Sequence, residues 1–183
     1  MSHKKNIILI IGLPGSGKTT LSKILSNKYN IPYFSTEEIR AELLKIVNVA
    51  NDCDFTEEQA KTVYEIIVNK VQDALIESNY VIVEGVFRYK QQRQMIYNIQ
   101  NARTHCFYIY CEENITIKRL KFRKMCHTIS PAGVITYKKI KRQYEFPCKN
   151  ENFITIDNSN SIEKSIENII NNIRINKYEY INI

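Results

Sequence analysis

Two kinds of apolar segment alternate along this chain. Short continuous runs are typical of strands buried on both faces, whereas apolar positions recurring every three to four residues are typical of amphipathic helices. The short runs predict five strands, at residues 6–11, 32–34, 80–83, 105–111 and 153–156. The longer segments predict helices at residues 18–29, 36–47, 56–78, 90–101, 114–124 and 135–145, and a last one from residue 161. Repeated strand–helix units predict a five-stranded parallel sheet with helices on both faces, a three-layer α/β/α fold.

One domain over residues 1–183 is expected, because this length suits a single hydrophobic core and no repeat or linker interrupts the pattern. No continuous apolar run reaches the roughly 18 residues of a membrane span, so the sequence predicts no contact with a membrane. Residues 125–134 contain Pro131 and Gly133, which predicts a mobile loop between two helices.

Cysteine usage indicates the cellular compartment, and the charge distribution indicates the kind of ligand. The five cysteines form no CxxC pair and only three histidines are present, so reduced thiols in a cytoplasmic protein are expected. The net charge is +7, and no acidic residue lies between Asn114 and Tyr144, although nine lysines and arginines do. This basic block indicates an anionic ligand, either nucleotide phosphates or a nucleic-acid backbone, and the alternative is a solvated lysine-rich face.

The most specific motif lies between the first predicted strand and the first predicted helix. Residues 12–19 match the pattern GxxxxGK[ST] at every fixed position, in the strand–loop–helix context of a phosphate-binding loop, the P loop. Its glycines let backbone N–H groups surround phosphate oxygens, beside a helix N-terminus. We expect Lys18 to contact the β- and γ-phosphates of ATP, and the Thr19 hydroxyl to hold Mg²⁺. The expected ATP-binding residues here are Gly12, Leu13, Pro14, Gly15, Ser16, Gly17, Lys18, Thr19 and Thr20.

Three weaker segments follow the P loop in a recognisable order, at residues 35–40, 81–88 and 118–123. With them, residues 6–157 resemble the polynucleotide-kinase-like small kinases, a branch of the P-loop nucleoside-kinase superfamily that also includes zeta-toxin-type kinases. The resemblance implies a nucleoside-kinase-like P-loop NTPase fold with a mobile lid at about residues 119–135. It also implies an ATP-dependent kinase that uses Mg²⁺.

The segment at residues 35–40 corresponds to the acceptor side of that family. The resemblance implies that Glu37 is the general base for the acceptor hydroxyl and that Arg40 binds an anionic group of the substrate. Family members often have Asp where this chain has Glu37, and the extra methylene moves the carboxylate by over an ångström. Glu38 is therefore an alternative base, and both residues also suit the first turn of a helix.

The segment at residues 81–88 ends the third predicted strand in an acidic residue. The resemblance places Glu84 where a carboxylate acts on Mg²⁺ or on the acceptor, and a structural salt bridge is the alternative. Arg93 matches a recurrent arginine of the family, and Arg88 resembles the substrate arginine of nucleoside-monophosphate kinases. Either arginine is a candidate for substrate binding, with a solvated surface position as the alternative.

The segment at residues 118–123 carries the arginines that the resemblance assigns to the lid. Arg119 and Arg123 are four residues apart, so both guanidinium groups lie on one helix face and can approach one triphosphate. We expect Arg123 to stabilise charge on the transferring phosphoryl group.

Together these features predict transfer of the ATP γ-phosphoryl group to an acceptor hydroxyl. The acceptor is left open between a polynucleotide 5′-hydroxyl and a small metabolite or nucleotide, with a nucleoside-monophosphate kinase as an alternative. A nucleotide-binding switch that acts through a protein partner is a further alternative, although such a switch needs no acceptor site.

Overall fold

The computed structural model describes residues 5–47, 57–125 and 133–173. Its strands are β1 (Lys5–Ile11), β2 (Tyr33–Ser35), β3 (Tyr80–Gly85), β4 (Ala102–Tyr110) and β5 (Phe153–Asp157). Its helices are α1 (Lys18–Tyr29), α2 (Thr36–Val47), α3 (Glu57–Glu77), α4 (Lys90–Tyr97), α5 (Glu113–Met125), α6 (Val134–Arg142) and α7 (Ile162–Ile173). A single 3-10 turn, Lys149–Glu151, precedes β5.

The five strands form one parallel sheet in the order β2-β3-β1-β4-β5. In the register, Ile8 of β1 lies opposite Ile82 of β3 and His105 of β4. On one side of the central strand β1 the sheet continues through β3 and β2, and on the other side through β4 and β5. In such a sheet a crevice opens at the carboxyl ends of the strands, which is where ligands bind.

Helices cover both faces of this sheet. On one face Ile8 and Ile10 of β1 pack with Leu21 and Leu25 of α1 and with Ile169 of α7, all of them unexposed. On the opposite face the remaining apolar residues of β1 pack against the buried sides of α3 and α4. Successive residues of a strand point to opposite faces, so a continuous apolar run such as β1 requires this double cover. The predicted three-layer α/β/α fold with a five-stranded parallel sheet is confirmed.

Several boundaries differ from the sequence prediction, and the largest difference lies between α4 and β4. Helix α4 ends at Tyr97 rather than residue 101, because the N–H of Asn98 closes the last turn on Gln94 O at 2.9 Å. The backbone then reverses through Asn101, whose φ is 60°, and β4 begins at Ala102 rather than residue 105. Asparagine tolerates this left-handed conformation. Because the chain turns here, α4 ends earlier than the spacing of the apolar residues indicated.

Two predicted features fall on parts of the chain that are not described. Residue 56, where the third predicted helix begins, lies outside the described residues, and so do residues 126–132 of the predicted loop at 125–134. Within the described ranges, no helix combines the length and the apolar character that crossing a membrane requires.

Candidate active site

The P loop connects the carboxyl end of β1 to the first turn of α1. Its glycines have φ angles of 146° at Gly12, 82° at Gly15 and 96° at Gly17, a region that side chains rarely occupy. A Cβ atom at Gly12 would lie 2.6 Å from the carbonyl oxygen of Ile109 in β4. The glycines therefore let the loop pack directly against the sheet, in the arrangement that presents main-chain N–H groups to a phosphate.

Asn158, directly after β5, anchors the P loop to its neighbours. Its side-chain Nδ2 donates a hydrogen bond to Ser16 O at 2.8 Å, and its N–H donates to Tyr110 O at 2.9 Å. Its carbonyl oxygen accepts a hydrogen bond from Arg119 Nη2 at 3.0 Å. Asn158 was not predicted from the sequence, although polar residues after a strand at this edge of the sheet indicate a ligand site.

Lys18 is 7% exposed, and its Nζ donates a hydrogen bond to Leu13 O at 3.0 Å. Burial lowers the pKa of Lys18, and the carboxylates of Glu84 and Glu37 act against that decrease. The positive charge of Arg123 adds to the decrease. Two acidic and two basic side chains thus act on one another at the P loop.

Glu84 lies near the end of β3 and is 1% exposed. Its Oε2 accepts a hydrogen bond from Thr19 Oγ1 at 3.2 Å, and its Oε1 accepts one from Ser35 Oγ at 2.9 Å. Burial raises the pKa of Glu84, and the charge of Lys18 opposes this increase. A buried carboxylate next to a hydroxyl is a set of hard oxygen donors, which fits Mg²⁺. This donor set is compatible with the expectation that Thr19 and Glu84 hold Mg²⁺.

The two adjacent carboxylates at the start of α2 have different surroundings. Glu38 forms an ion pair with Lys23 at 2.8 Å, and both side chains are partly exposed. Glu37 acts electrostatically on both Lys18 and Glu84. Its N–H also donates a hydrogen bond to Ser35 Oγ at 3.2 Å. Glu37 therefore lies on the side of α2 that faces the P loop.

Two of the predicted substrate arginines act on the same buried phenol. Burial raises the pKa of Tyr64 in α3, and the positive charges of Arg40 and Arg88 act against that increase. Arg40 also forms a hydrogen bond with Tyr64. The Arg88 guanidinium lies 4.4 Å from the ring centroid of Tyr89 and donates a hydrogen bond to Gln143 Oε1 at 2.8 Å. Tyr64 was not predicted from the sequence, because its interaction with Arg40 depends on how α3 packs against α2.

The third predicted substrate arginine, Arg93, has a different role. Its side chain is unexposed and forms a two-pronged ion pair with Glu151, with Nε–Oε2 at 2.6 Å and Nη2–Oε1 at 3.0 Å. Its Nη1 donates hydrogen bonds to Phe87 O at 3.0 Å and Glu145 O at 2.9 Å. A guanidinium that is enclosed and bonded to protein groups in this way is not placed to meet a substrate. The expectation that Arg93 binds substrate is therefore corrected.

The two predicted lid arginines line a cavity beside the P loop. Arg119 and Arg123 of α5, together with Gly17, Thr20 and Asn158, border a space of about 520 Å³. The Arg119 guanidinium is held there by its hydrogen bond to the carbonyl of Asn158. A cavity of this size next to the N-terminus of α1 has room for the nucleoside part of a nucleotide whose phosphates lie in the P loop.

Comparisons with known proteins agree with this arrangement. Residues 11–128 match the model of a family described as AAA domain, a range that includes the P loop and every predicted site residue. The chain is 27% identical over 175 residues to an adenylate kinase of Mycoplasma mobile, an alignment covering 87% of this chain and 79% of that protein. It is 31% identical over 161 residues to an adenylate kinase of Mesomycoplasma hyopneumoniae, covering 84% of this chain and 74% of that protein.

Among solved structures, the fold is similar to that of a sugar kinase from Janibacter sp. HTCC2649. The TM-score is 0.73 at 14% sequence identity, and the match covers 94% of this chain and 95% of that one. At this level of identity the similarity concerns the arrangement of helices and strands rather than the substrate.

Proposed function

This chain belongs to the AAA domain family and is an ATP-dependent P-loop kinase related to adenylate kinases, and from that premise we propose that its acceptor is a nucleoside monophosphate. The observation that carries the proposal is the pair Arg40 and Arg88. Both guanidinium groups act on Tyr64, one from α2 and the other from the segment after β3. Two arginines whose charges both act on one residue suit a phosphate placed beside it, because phosphate accepts hydrogen bonds from guanidinium groups in pairs.

The donor side consists of the P loop and α5. Main-chain N–H groups of residues 12–19 and the Lys18 ammonium bind the phosphates of ATP, and the cavity bordered by Arg119 receives its nucleoside. Arg123 lies on the same face of α5, and its positive charge acts on Lys18 of the P loop. Phosphoryl transfer relies mainly on positioning and on neutralising charge, so these cations account for donor activation.

Mg²⁺, when bound by Thr19 and Glu84, neutralises phosphate charge and orients the triphosphate. Glu37 is the carboxylate that orients the acceptor, because it lies on the P-loop side of α2 whereas Glu38 is paired with Lys23. It accepts a proton only from a hydroxyl acceptor, because the attacking phosphate oxygen of a monophosphate is already deprotonated near neutral pH. Arg40 and Arg88 bind the acceptor phosphate and leave one of its oxygen atoms to attack the γ-phosphate of ATP in the P loop.

A second candidate acceptor is a polynucleotide 5′-hydroxyl, in line with the resemblance to polynucleotide-kinase-like small kinases. The feature that favours it is a groove of about 410 Å³ on α6, lined by Lys138, Lys139, Arg142 and Gln143. Gln143 accepts a hydrogen bond from Arg88, so the groove continues from the acceptor arginines. A row of cations leading away from an acceptor site suits successive phosphates of a nucleic-acid strand.

Transfer of labelled γ-phosphate from ATP distinguishes the candidates. The assay offers AMP, GMP, CMP, UMP, a 5′-hydroxyl oligonucleotide and gluconate as separate acceptors. We expect one or more monophosphates to become labelled diphosphates, with no label on the other acceptors. Label on the oligonucleotide alone would favour the second candidate, and label on gluconate alone would reject both. ATP hydrolysis that no acceptor stimulates would instead indicate a switch.

A further inference from the structure

The segment between β3 and α4 contains an unusual backbone conformation next to a proposed acceptor residue. Phe87 has a φ of 45° although it is not glycine, and its side chain is unexposed. A bulky residue adopts this left-handed conformation only where its surroundings hold it, and such strain is concentrated at functional sites. The next residue is Arg88, so the conformation of Phe87 sets the direction of the chain at Arg88.

The buried pair Arg93–Glu151 holds this turn in place. Arg93 Nη1 donates to Phe87 O at 3.0 Å and to Glu145 O at 2.9 Å, while its other nitrogens bond Glu151. The N–H of Glu145 donates in turn to Arg88 O at 3.0 Å. The carbonyl groups of Phe87 and Arg88 are thus both fixed by bonds that converge on Arg93 and its neighbour Glu145.

The Phe87 side chain connects the same turn to the other acceptor group. Its ring packs edge-on against Tyr64, with centroids 5.3 Å apart and planes at 61°. Tyr64 is the residue on which Arg40 and Arg88 act. A shift of the Phe87 turn therefore moves Arg88 and also changes the ring contact with Tyr64.

We propose that the Arg93–Glu151 pair is a positioning device for the acceptor site, which holds the strained Phe87 turn and thereby aims Arg88 at the acceptor phosphate. The assignment of a phosphate acceptor rests on the proposed function, whereas the control of the turn does not. Arg93 touches no substrate in this scheme and acts only through Phe87 and Arg88. Its removal therefore weakens acceptor binding and leaves ATP binding unchanged.

The main test variant is the double substitution Arg93→Met/Glu151→Met. Removing Arg93 alone leaves a buried carboxylate unpaired, whereas replacing both partners by apolar side chains keeps the interior neutral and filled. Glu151→Gln is the second variant, which keeps the shape of the side chain. Tyr97→Phe is the matched control, because Tyr97 donates to the Glu151 carbonyl at 2.6 Å and has no bond to the turn.

We expect the double variant to raise the acceptor KM about ten- to hundredfold, with the ATP KM within twofold of the original value. Glu151→Gln should give a smaller change in the same direction, and Tyr97→Phe should leave both KM values unchanged. In an Arg88→Ala background the double substitution should have no further effect on acceptor KM. An effect of equal size in that background, or equal changes in both KM values, would overturn the proposal.

Crystal structures of the original chain and the double variant give a reading that needs no acceptor. We expect Phe87 to leave the left-handed region in the variant and the Arg88–Gln143 hydrogen bond to be lost. A variant in which the Phe87 φ stays near 45° would overturn the proposal even where monophosphates are phosphorylated. Conversely, if the turn is displaced in the double variant but the original chain phosphorylates no monophosphate, the positioning role is upheld and the proposed acceptor is rejected.

Discussion

Lys18 combines a buried position with a charge that the P loop requires. Burial lowers its pKa, and a bound triphosphate opposes that decrease because it favours the charged ammonium. Lys18→Met fills the same space without the charge, so we expect turnover to fall by about 10²- to 10³-fold or more while the fold is retained. Initial rates of phosphoryl transfer and a urea unfolding curve measure the two effects.

Lys23→Met is the control for this experiment, because Lys23 lies on the same helix but is about half exposed and paired with Glu38. It should change turnover by less than about threefold, as expected for loss of a surface ion pair. Turnover of Lys18→Met close to that of the control would remove Lys18 from the proposed mechanism.

Glu37 and Glu38 provide a comparison between adjacent carboxylates. If Glu37 is the general base for a hydroxyl acceptor, Glu37→Gln should reduce transfer to that acceptor by about 10²- to 10⁴-fold, because an amide does not accept the hydroxyl proton. Transfer to a monophosphate, whose phosphate oxygen is already deprotonated, should fall less. Glu38→Gln removes only a surface ion pair and should have little effect. The kcat of each variant, measured at saturating ATP and acceptor, tests the assignment. A larger loss in Glu38→Gln would reverse it.

At the scale of single residues, the sequence predicted best where a short motif carries the chemistry. The P loop follows from eight consecutive positions, since the glycines and Lys18 act through local backbone geometry. Asn158 and Tyr64 were missed because each acts on a distant segment that only the folded chain brings near. Arg93 was assigned to the substrate because its burial against Glu151, 58 positions away, leaves no trace in local spacing.

Helix α2 starts against the end of β3, and this contact sets the distance between Glu37 and the P loop. A Cβ atom at Gly85 would overlap Thr36 Oγ1 and lie 2.7 Å from Thr36 Cγ2. Gly85→Ala should therefore push the first turn of α2 outward. We expect a loss of about 1–3 kcal/mol in the free energy of unfolding and a reduced kcat. ATP affinity should change little, because the three atoms nearest to that Cβ belong to Thr36 and Phe87 and none belongs to the P loop.

Gly133→Ala is the matched control, since, apart from its two chain neighbours, no heavy atom of the described residues lies within 4 Å of a Cβ built at that position. Its free energy of unfolding should change by less than about 1 kcal/mol. Urea unfolding and ATP titration of both variants check the comparison. Equal losses in the two variants would show that the Thr36 contact does not matter.

The sequence predicted whole elements better than their ends. Each predicted strand and helix has a counterpart, because apolar periodicity reflects which side of an element is buried. The end of α4 and the start of β4 were placed wrongly, since they depend on the left-handed turn at Asn101 and on pairing with β1. The 3-10 turn Lys149–Glu151 was not predicted, because three residues are too few to show a periodic apolar pattern. This turn places Glu151 against Arg93.

Over the whole molecule, the sheet order explains why segments far apart in sequence form one site. Glu84 at the end of β3 and the P loop after β1 are adjacent because these strands pair in parallel, with Ile10 opposite Glu84. Because β5 pairs in parallel with β4, the polar residues after β5 lie at the same edge of the sheet. Alternating strands and helices predicted that edge as the ligand site, but not which side chains meet across it.

The Arg93–Glu151 pair also connects α4 to the segment before β5, so its protonation affects the stability of the whole fold. Burial by itself would raise the pKa of Glu151, but hydrogen bonds from Arg93 and from the Cys148 N–H outweigh this, and the pKa lies below its ordinary value of 4.5. A carboxyl group whose pKa is lower in the folded state stabilises the fold above its unfolded pKa. That contribution is lost as the pH falls below about 4.5 and through the folded pKa.

We therefore expect the free energy of unfolding to decrease steeply below about pH 4.5 in the original chain. Glu151→Gln should cost about 3–5 kcal/mol at pH 7, because it leaves a buried guanidinium without its counter-charge, and the cost should shrink toward pH 3. Glu77→Gln, at the exposed end of α3, is the control and should follow the original curve. Urea unfolding from pH 7 to pH 3 measures all three. A difference between Glu151→Gln and the original chain that stays constant with pH would show that Glu151 is not ionised in the fold.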